Sequence, residues 1–471
     1  METLSPEAIT ALVNRYDRPG PRYTSYPAVP AWNEGFGPSD YAARLDDWAA
    51  AQRQGVAAPL SLYVHLPFCR QRCLYCGCNV VISSKHEIVV PYLDTLEREI
   101  ELVARHLGPS RNVVQLHLGG GTPTYLAPAE LERLGEVVAR TFSFADDAER
   151  SVEVDPRVTT PEHLGTLRAL GFDRISLGVQ DLDPDVQEAI GRVQPEEQTA
   201  AFFETCRKAG FSSINVDLIY GLPLQTAESF AATIDAVVAL GPDRVALFSY
   251  AHVPHLRPHQ AKMPVALLPA PAHKLALYVE AARRFEAAGY TFVGLDHFAK
   301  PEDELARAHE RHTLRRNFMG FTTKPETDVV AFGMSAISDV SHAYAQNDSH
   351  LPAYRRRIEA GELATTRGVV LTPDDRVRRD IIMSLMCNGR TDARALSARH
   401  GLDFATAFAP ELAALAPLVD DGLLTIDAHH DLVVTARGRW VMRNICMVFD
   451  AHLPTLPAQA AHAPARFSRT I

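Results

Sequence analysis

The chain lacks most of what would take it out of water. No apolar run in its 471 residues approaches the ~18 positions that a membrane helix needs, so no membrane span is expected. The start, Met1-Glu-Thr-Leu-Ser-Pro-Glu-Ala8, has no basic stretch leading into an apolar core, so no secretory signal is expected and the expected location is cytoplasmic. Positive charge is short: 47 Lys and Arg stand against 57 Asp and Glu, a net charge of −10, which leaves no overall nucleic-acid footprint. Cysteine is scarce, with seven in all, so a disulfide scaffold is not the expectation, and in a reducing compartment the thiols stay free. No coiled coil or internal repeat argues for assembly, and a monomer is expected. What remains is ordinary: 46% hydrophobic and 22% charged residues, in a chain long enough for more than one domain.

The little cysteine there is sits together. Cys69, Cys73, Cys76 and Cys78 fall within ten positions, while Cys206, Cys387 and Cys446 are isolated. The spacing C-x3-C-x2-C brings three thiolates to one loop, where they repel unless a metal neutralises them. A structural zinc site usually takes four closed ligands, often from two separated pairs, and no second pair exists. Three thiolates with one open position suit an iron–sulfur cluster that keeps one iron free for a ligand. A zinc knuckle and a disulfide-stapled loop are the competing readings.

Around this loop the chain alternates. Ser5 and Pro6 cap a first helix, 6–16, and an amphipathic helix follows at 39–53, with a Pro- and Gly-rich stretch between them. These make an N-terminal arm, 1–58, read either as a surface arm or as a lid bringing Arg22 and Tyr23 to a ligand. Strands are then expected at Leu60–His65, Val113–Leu118, Ser151–Asp155, Asp173–Gly178, Ser213–Ile219 and Arg244–Tyr250. Helical segments follow them at 88–106, 128–141, 161–170, 183–209, 226–239 and 271–288. Six strand–helix units in strict alternation predict an α/β fold with a parallel sheet curled into a partial (β/α)6 barrel. Residues 59–364 are assigned to this domain, with 291–362 continuing or bridging from it and Tyr290–Phe298 read as one more strand and loop. Loops at Asn317–Thr323 and Phe332–Ser338 look ligand-facing, or are ordinary turns. From 365 to 471 the pattern changes to helices near 372–386, 392–400 and 405–418, a hairpin, and a last helix at 436–450. That is a small winged-helix-like domain, read as a cover on the barrel mouth, with an extended tail after 453.

Polar residues gather where the strands end. Glu153, Gln180, Asp217, His252 and the glycines 119–121 all lie at or beyond strand C-termini, the rim on which parallel barrels build their sites. Glycines there let backbone approach a ligand, and Glu153 suits the two hydroxyls of a ribose. Gln180 and Asp217 suit further polar groups, and Arg192 suits a carboxylate. No Gly-Lys-Ser/Thr follows the glycine run, so it is not a phosphate loop.

The cysteine spacing, with Tyr75 before the last cysteine, resembles the radical S-adenosylmethionine superfamily. The resemblance implies that Cys69, Cys73 and Cys76 hold a [4Fe–4S] cluster whose fourth iron binds S-adenosylmethionine. Further stretches resemble the oxygen-independent coproporphyrinogen III oxidases: Gly20–Pro27, Tyr63–Asn79, Gly119–Leu126, Val152–Arg157, Gly178–Asp181, Asn215–Pro223, Asp296–Ala299 and Arg443–Met447. This family resemblance implies oxidative decarboxylation of two propionates of coproporphyrinogen III to vinyl groups, giving protoporphyrinogen IX. It also implies two bound S-adenosylmethionine molecules. Tyr63, Gly120 and Glu153 would contact the first, and Tyr75, Gly121, Thr122, Gln180, Arg192, Asp217, Ala251 and Ile337 the second. A flavodoxin- or ferredoxin-type reductant is implied as partner. Cys78 is a mark of the family and is read as a neighbour of the cluster, not a ligand. Met319 departs from the family, standing where a polar Gln is expected. Arg22, Arg70, Arg72 and Arg157 are candidates, by location, for gripping the tetrapyrrole's carboxylates. Competing readings are a haem-binding chaperone on the same scaffold, an electron-transfer iron–sulfur protein, and a winged-helix transcription factor.

Overall fold

Strand alternation decides the architecture. The computed structural model describes residues 5–324, 326–453, 467 and 469. In strand β1 (Leu60–Leu66), Leu60, Leu62, Val64 and Leu66 are fully buried among core side chains that include Leu96, Ile100 and Val103 of the helix Val89–Leu107. Ser61, Tyr63 and His65 take the other face. The same two-sided pattern recurs in β2 (Asn112–Gly120), β3 (Ser143–Val154), β4 (Arg174–Gln180), β5 (Ser213–Tyr220) and β6 (Arg244–Ser249). Each pairs parallel with the next. A polar strand face opposite an apolar one lets the barrel interior hold water or ligand while helices cover the outside.

The sheet is larger than six strands. Its flanks are β7 (Thr291–Gly294) and β8 (His297–Ala299) at one edge, and β9 (Asp328–Phe332), β10 (Ile337–Val340), β11 (Ala343–Asn347) and β12 (Thr365–Val370) at the other. The order is β12-β11-β10-β9-β1-β2-β3-β4-β5-β6-β8-β7. Strand β9 is a seventh parallel strand, on β1, and the other five flanking strands run antiparallel to their neighbours. The two ends do not pair, so the barrel stays open. Residues 291–362 therefore continue the main domain, adding five strands to its sheet, and Thr365–Val370, assigned from sequence to the cover domain, is the sheet's edge strand.

Beyond Val370 a second core forms. Ile381, Leu385, Phe404, Phe408 and Ile445 pack there with Tyr23 and Tyr26 of the N-terminal arm. The arm divides: the helix Pro38–Arg53 places Tyr41, Leu45 and Trp48 in the barrel's core instead. The Tyr23 hydroxyl donates to Asp450 Oδ2 at 2.9 Å, and Arg443 donates to the carbonyls of Gly20 and Pro21. Helices Pro373–Asn388 and Ala393–His400 and the hairpin Leu424–Ile426/Leu432–Val434 match the winged-helix-like expectation. Two expected helices do not run through. That over 405–418 is broken into Phe404–Ala407, Ala409–Ala414 and Ala416–Asp420, because Pro410 and Pro417 cannot continue a helix. That over 436–450 is a short helix, Met442–Cys446, between two 3-10 turns. The tail read as an extended arm lies outside the described residues apart from 467 and 469. No helix among the described residues is long and apolar enough to cross a membrane.

Candidate functional site

The polar strand faces and the loops beyond the strand ends enclose one cavity of about 1350 Å3. Its floor is made by inward side chains of successive strands, among them Gln115, Glu149, Ser176, Asn215 and Arg244. Its rim carries the cysteine loop. No described residue after Phe321 lines it.

The cysteine loop leaves β1 and is held from several directions. Gly121 N–H donates to Leu66 O and Thr122 N–H to Phe68 O, both at 2.8 Å. A Cβ on Gly121 would lie 2.7 Å from the Pro67 and Phe68 carbonyl oxygens, so the close approach requires glycine. His259 Nε2 donates to Cys76 O at 2.8 Å, and Gln260 Nε2 to Tyr75 O at 3.1 Å. The His65 ring bridges Asn79 O, 2.9 Å from Nε2, and Tyr63 OH, 3.0 Å from Nδ1. Since a carbonyl only accepts, the proton sits on Nε2 and Nδ1 accepts from the phenol. Burial keeps that ring neutral by lowering its pKa.

The thiols differ in environment. Cys76 Sγ accepts hydrogen bonds from Cys78, including its backbone N–H at 3.4 Å, which brings the Cys76 thiol down to about 6. Burial pushes Cys69 up to about 11, and the Thr122 hydroxyl lies 3.5 Å from its sulfur. Arg157 and Arg192 each donate to Cys73 Sγ at 3.8 Å. Both also bind Asp155, Arg157 through Nε and NH2 and Arg192 through NH1 at 3.0 Å. Burial would raise the Asp155 pKa, but Arg192 and Arg157 outweigh it and hold the carboxylate below its usual range. Among the described residues no three His, Cys, Asp or Glu groups close on a point that would hold a single metal ion. Three thiols on one rim loop, beside two guanidiniums that offset thiolate charge, fit a larger cluster better than a lone ion.

The carboxylates divide by charge. For Glu153, burial opposes ionisation, but the His117 ring and the Gly120 N–H at 3.2 Å hold it below the usual range. Asp217 is pushed up to about 6 by burial and by the charge of Glu153, although Asn215 and Ser176 donate to it. Gln180 has φ 72 at a register shift between β4 and β5, a strained position of the kind found at ligand sites.

Of the residues singled out from the sequence, Cys69, Cys73, Cys76, Tyr75, Gly120, Gly121, Thr122, Glu153, Gln180, Arg192, Asp217 and Ala251 all line this cavity. So do Arg22, Arg70, Arg72, Arg157, Cys78 and Met319. Tyr63 does not; its ring stacks on His117 behind the wall. Ile337 lies in β10, against the cluster of Trp32, Tyr344 and Leu371. Tyr23 is buried away from the cavity, and His252 pairs with the Tyr250 hydroxyl at 2.9 Å. Of the two loops read as ligand-facing, Asn317–Phe321 lines the cavity, while Gly333 packs against Tyr92 and Glu99. Sequence reasoning missed the roles of Asp155, His65, His117, His259 and Gln260. Only Asp155 carried a signal, at the end of β3.

The family model for the Radical SAM superfamily matches residues 63–237, and that for the HemN C-terminal domain matches 371–441. Over 462 residues, 98% of each chain, the sequence is 44% identical to an oxygen-independent coproporphyrinogen III oxidase of Pseudomonas aeruginosa. It is 45% identical to the protein of that name from Escherichia coli, over 94% of this chain and 95% of the other. The solved structure of coproporphyrinogen III oxidase (HemN) from Escherichia coli, described as a radical SAM enzyme, superposes with a TM-score of 0.87 over 92% of this chain and 98% of that one.

Proposed function

The chain belongs to the family of oxygen-independent coproporphyrinogen III oxidases, and we propose that it converts coproporphyrinogen III to protoporphyrinogen IX by oxidative decarboxylation of two propionates. A [4Fe–4S] cluster and S-adenosylmethionine, when bound, supply a 5′-deoxyadenosyl radical by one-electron reductive cleavage of the cofactor's C–S bond. Each propionate loses a hydrogen atom from its β-carbon, then CO2 and one electron, and a vinyl group remains. The electron passes to an acceptor, and a flavodoxin- or ferredoxin-type protein is the proposed reductant.

The chain's own residues do the holding. Cys69, Cys73 and Cys76 would ligate the cluster, with Arg157 and Arg192 offsetting the charge at Cys73 and Cys78 donating to Cys76. Gly120, with no side chain in the way, and Glu153, with an ionised carboxylate, are proposed for a first S-adenosylmethionine, with Tyr63 behind them. Tyr75, Gly121, Thr122, Gln180, Arg192, Asp217, Ala251 and Ile337 are proposed for a second. The protein is proposed to act in the cytoplasm and as a monomer, with the arm 1–58 and the C-terminal domain flanking the catalytic barrel. One observation carries the reading: a cavity of about 1350 Å3, beyond the roughly 300–1,000 Å3 of a single small-ligand pocket, brings the three thiols, the glycine run and the carboxylates together.

The test is anaerobic reconstitution with iron and sulfide, followed by reductant, S-adenosylmethionine and coproporphyrinogen III. Methionine, 5′-deoxyadenosine and protoporphyrinogen IX are expected together, and all should vanish in Cys69→Ala. The first two without the third would move the substrate elsewhere. An assembled cluster with no cleavage, and stable stoichiometric retention of haem, would favour the chaperone.

A further inference from the structure

Beside the main cavity, where the barrel meets the C-terminal region, lies a cleft of about 70 Å3 that shares Arg22 and Ser249 with it. Its charge does not balance. Among the described residues lining it, Asp296 is the one acid, and His297 Nδ1 pairs with it at 2.8 Å. Two of the cleft's arginines are already matched, Arg439 by Glu286 and Arg469 by Asp17. Three are not. Arg443, 7% exposed, spends its nitrogens on the carbonyls of Gly20, Pro21 and Arg469, which fixes the loop carrying Arg22 but cancels no charge. Arg316 donates from NH1 to Arg22 O, and its buried Nε has no partner among the described residues. Arg22 is exposed, and no hydrogen bond or ion pair to its guanidinium is found among the described residues.

The Asp296 carboxylate, held below its usual range despite burial with the help of Arg22 and Arg316, is one charge against three such guanidiniums, and an incoming anion relieves the remaining surplus. Lys274, whose ammonium donates to Tyr250 O, feels the same surplus; burial and then Arg22 bring it down to about 8. The cysteine loop follows β1, whereas the cleft opens beyond β6, at the far end of the parallel strands that enclose the cavity. A flat ligand with several acidic arms could therefore set one arm near the thiols and another here.

We propose that this cleft is a carboxylate subsite, in which Arg22 and Arg316 grip a propionate of the tetrapyrrole other than the one reacting, and Arg443 positions Arg22. The proposal rests on the substrate assigned under Proposed function. A planar guanidinium meets a carboxylate through two parallel N–H bonds, which sets orientation as well as affinity.

The test uses the reconstituted holoprotein with S-adenosylmethionine and oxidised coproporphyrin III, a fluorescent tetracarboxylate that is not turned over. Arg22→Ala is expected to weaken its binding about tenfold or more, Arg22→Glu further, and Arg22→Lys to recover part of the loss. Coproporphyrin III tetramethyl ester, which has no free carboxylate, should show little difference between wild type and the variants. The S-adenosylmethionine affinity should stay put, and in turnover most of the loss should fall on KM. Equal coproporphyrin affinity in wild type and Arg22→Glu would overturn the subsite, as would an equal loss for the tetraester. A wild type that binds coproporphyrin but never converts coproporphyrinogen would overturn the assigned reaction, and the binding difference would still decide the subsite.

Discussion

Asp155→Asn puts the electrostatics of the cysteine rim to a direct test. The amide keeps the shape and removes the charge. Asp155 is 8% exposed and accepts from Arg157 Nε and NH2, from the Arg157 backbone N–H, and from Arg192 NH1. The two arginine side chains are 19% and 7% exposed, so the variant leaves two largely buried guanidiniums facing each other. Breaking a buried pair by removing one partner costs about 3–5 kcal/mol. Arg192 keeps its bonds to Gly178 O and Gln194, and Arg157 keeps some water, so the low end applies, about 3 kcal/mol. With about 2 cal/mol/K of unfolding entropy per residue, the 471-residue chain has about 1 kcal/mol/K, and Tm should fall by about 3 °C. The pH dependence has a definite sign. The folded pKa of Asp155 lies below the unfolded one, so its contribution is complete above about pH 4 and fades as pH falls through the folded value. Differential scanning fluorimetry from pH 3.5 to 8 should show a constant gap between wild type and variant at neutral pH, closing in acid. Equal melting at pH 7, or a gap that widens in acid, would refute the reasoning.

Three further outcomes are expected. Gly121→Ala forces a Cβ to within 2.7 Å of the Pro67 and Phe68 carbonyl oxygens, so iron bound after reconstitution should fall several-fold; full iron content would show that the loop yields freely. Asp217, held at about 6 mainly by burial, should make S-adenosylmethionine binding weaken as pH falls through that value, while Asp217→Asn binds more weakly and without that step. Because its folded pKa is raised, the carboxyl favours folding at low pH and loses that effect as pH rises through about 6; Tm of the variant relative to wild type should climb between pH 4 and 7. Tyr23→Phe removes the 2.9 Å bond to buried Asp450 that ties the arm to the C-terminal core, at about 1–3 kcal/mol, and calorimetry should register a lower Tm; an unchanged one would make that bond incidental.

The six parallel strands β1 to β6 were legible because each carries enough residues for its alternation or apolar run to show, and each ends in polar or glycine residues that mark the rim. The helix Pro128–Thr141 and the Ser5-capped helix Pro6–Tyr16 were readable to the residue from proline and cap signals. Of the antiparallel flanks only Thr291–Gly294 was legible, as the strand expected within Tyr290–Phe298. His297–Ala299 has three residues, too few for a period, and Ile337–Val340 opens beside glycine and serine that read as a loop. The six-unit count was right for the strands it covered and blind to β9, because its partner β1 lies more than 250 positions earlier in the chain. The same distance hid much of the site. Residues that face a ligand stand at strand ends and announce themselves; residues that hold those residues do not.

That asymmetry is itself a physical statement about the cysteine loop. Its ligand spacing is local, so it is written into ten consecutive positions. Its shape is imposed from elsewhere: by the Gly121 and Thr122 amides from the end of β2, by His259 and Gln260 after β6, and by Arg157 and Arg192 after β3 and β4. A loop this exposed, with Gly77 and Cys78 open to solvent, has little apolar burial of its own to define one conformation. Remote hydrogen bonds to its carbonyls and sulfurs supply the definition. A chain could therefore keep all three cysteines and still lose the site by changing Gln260, which is 1% exposed, accepts from Val253 N–H at 2.7 Å and reaches the loop with its remaining donor. The motif names the chemistry, and the barrel around it decides whether the motif can carry it out.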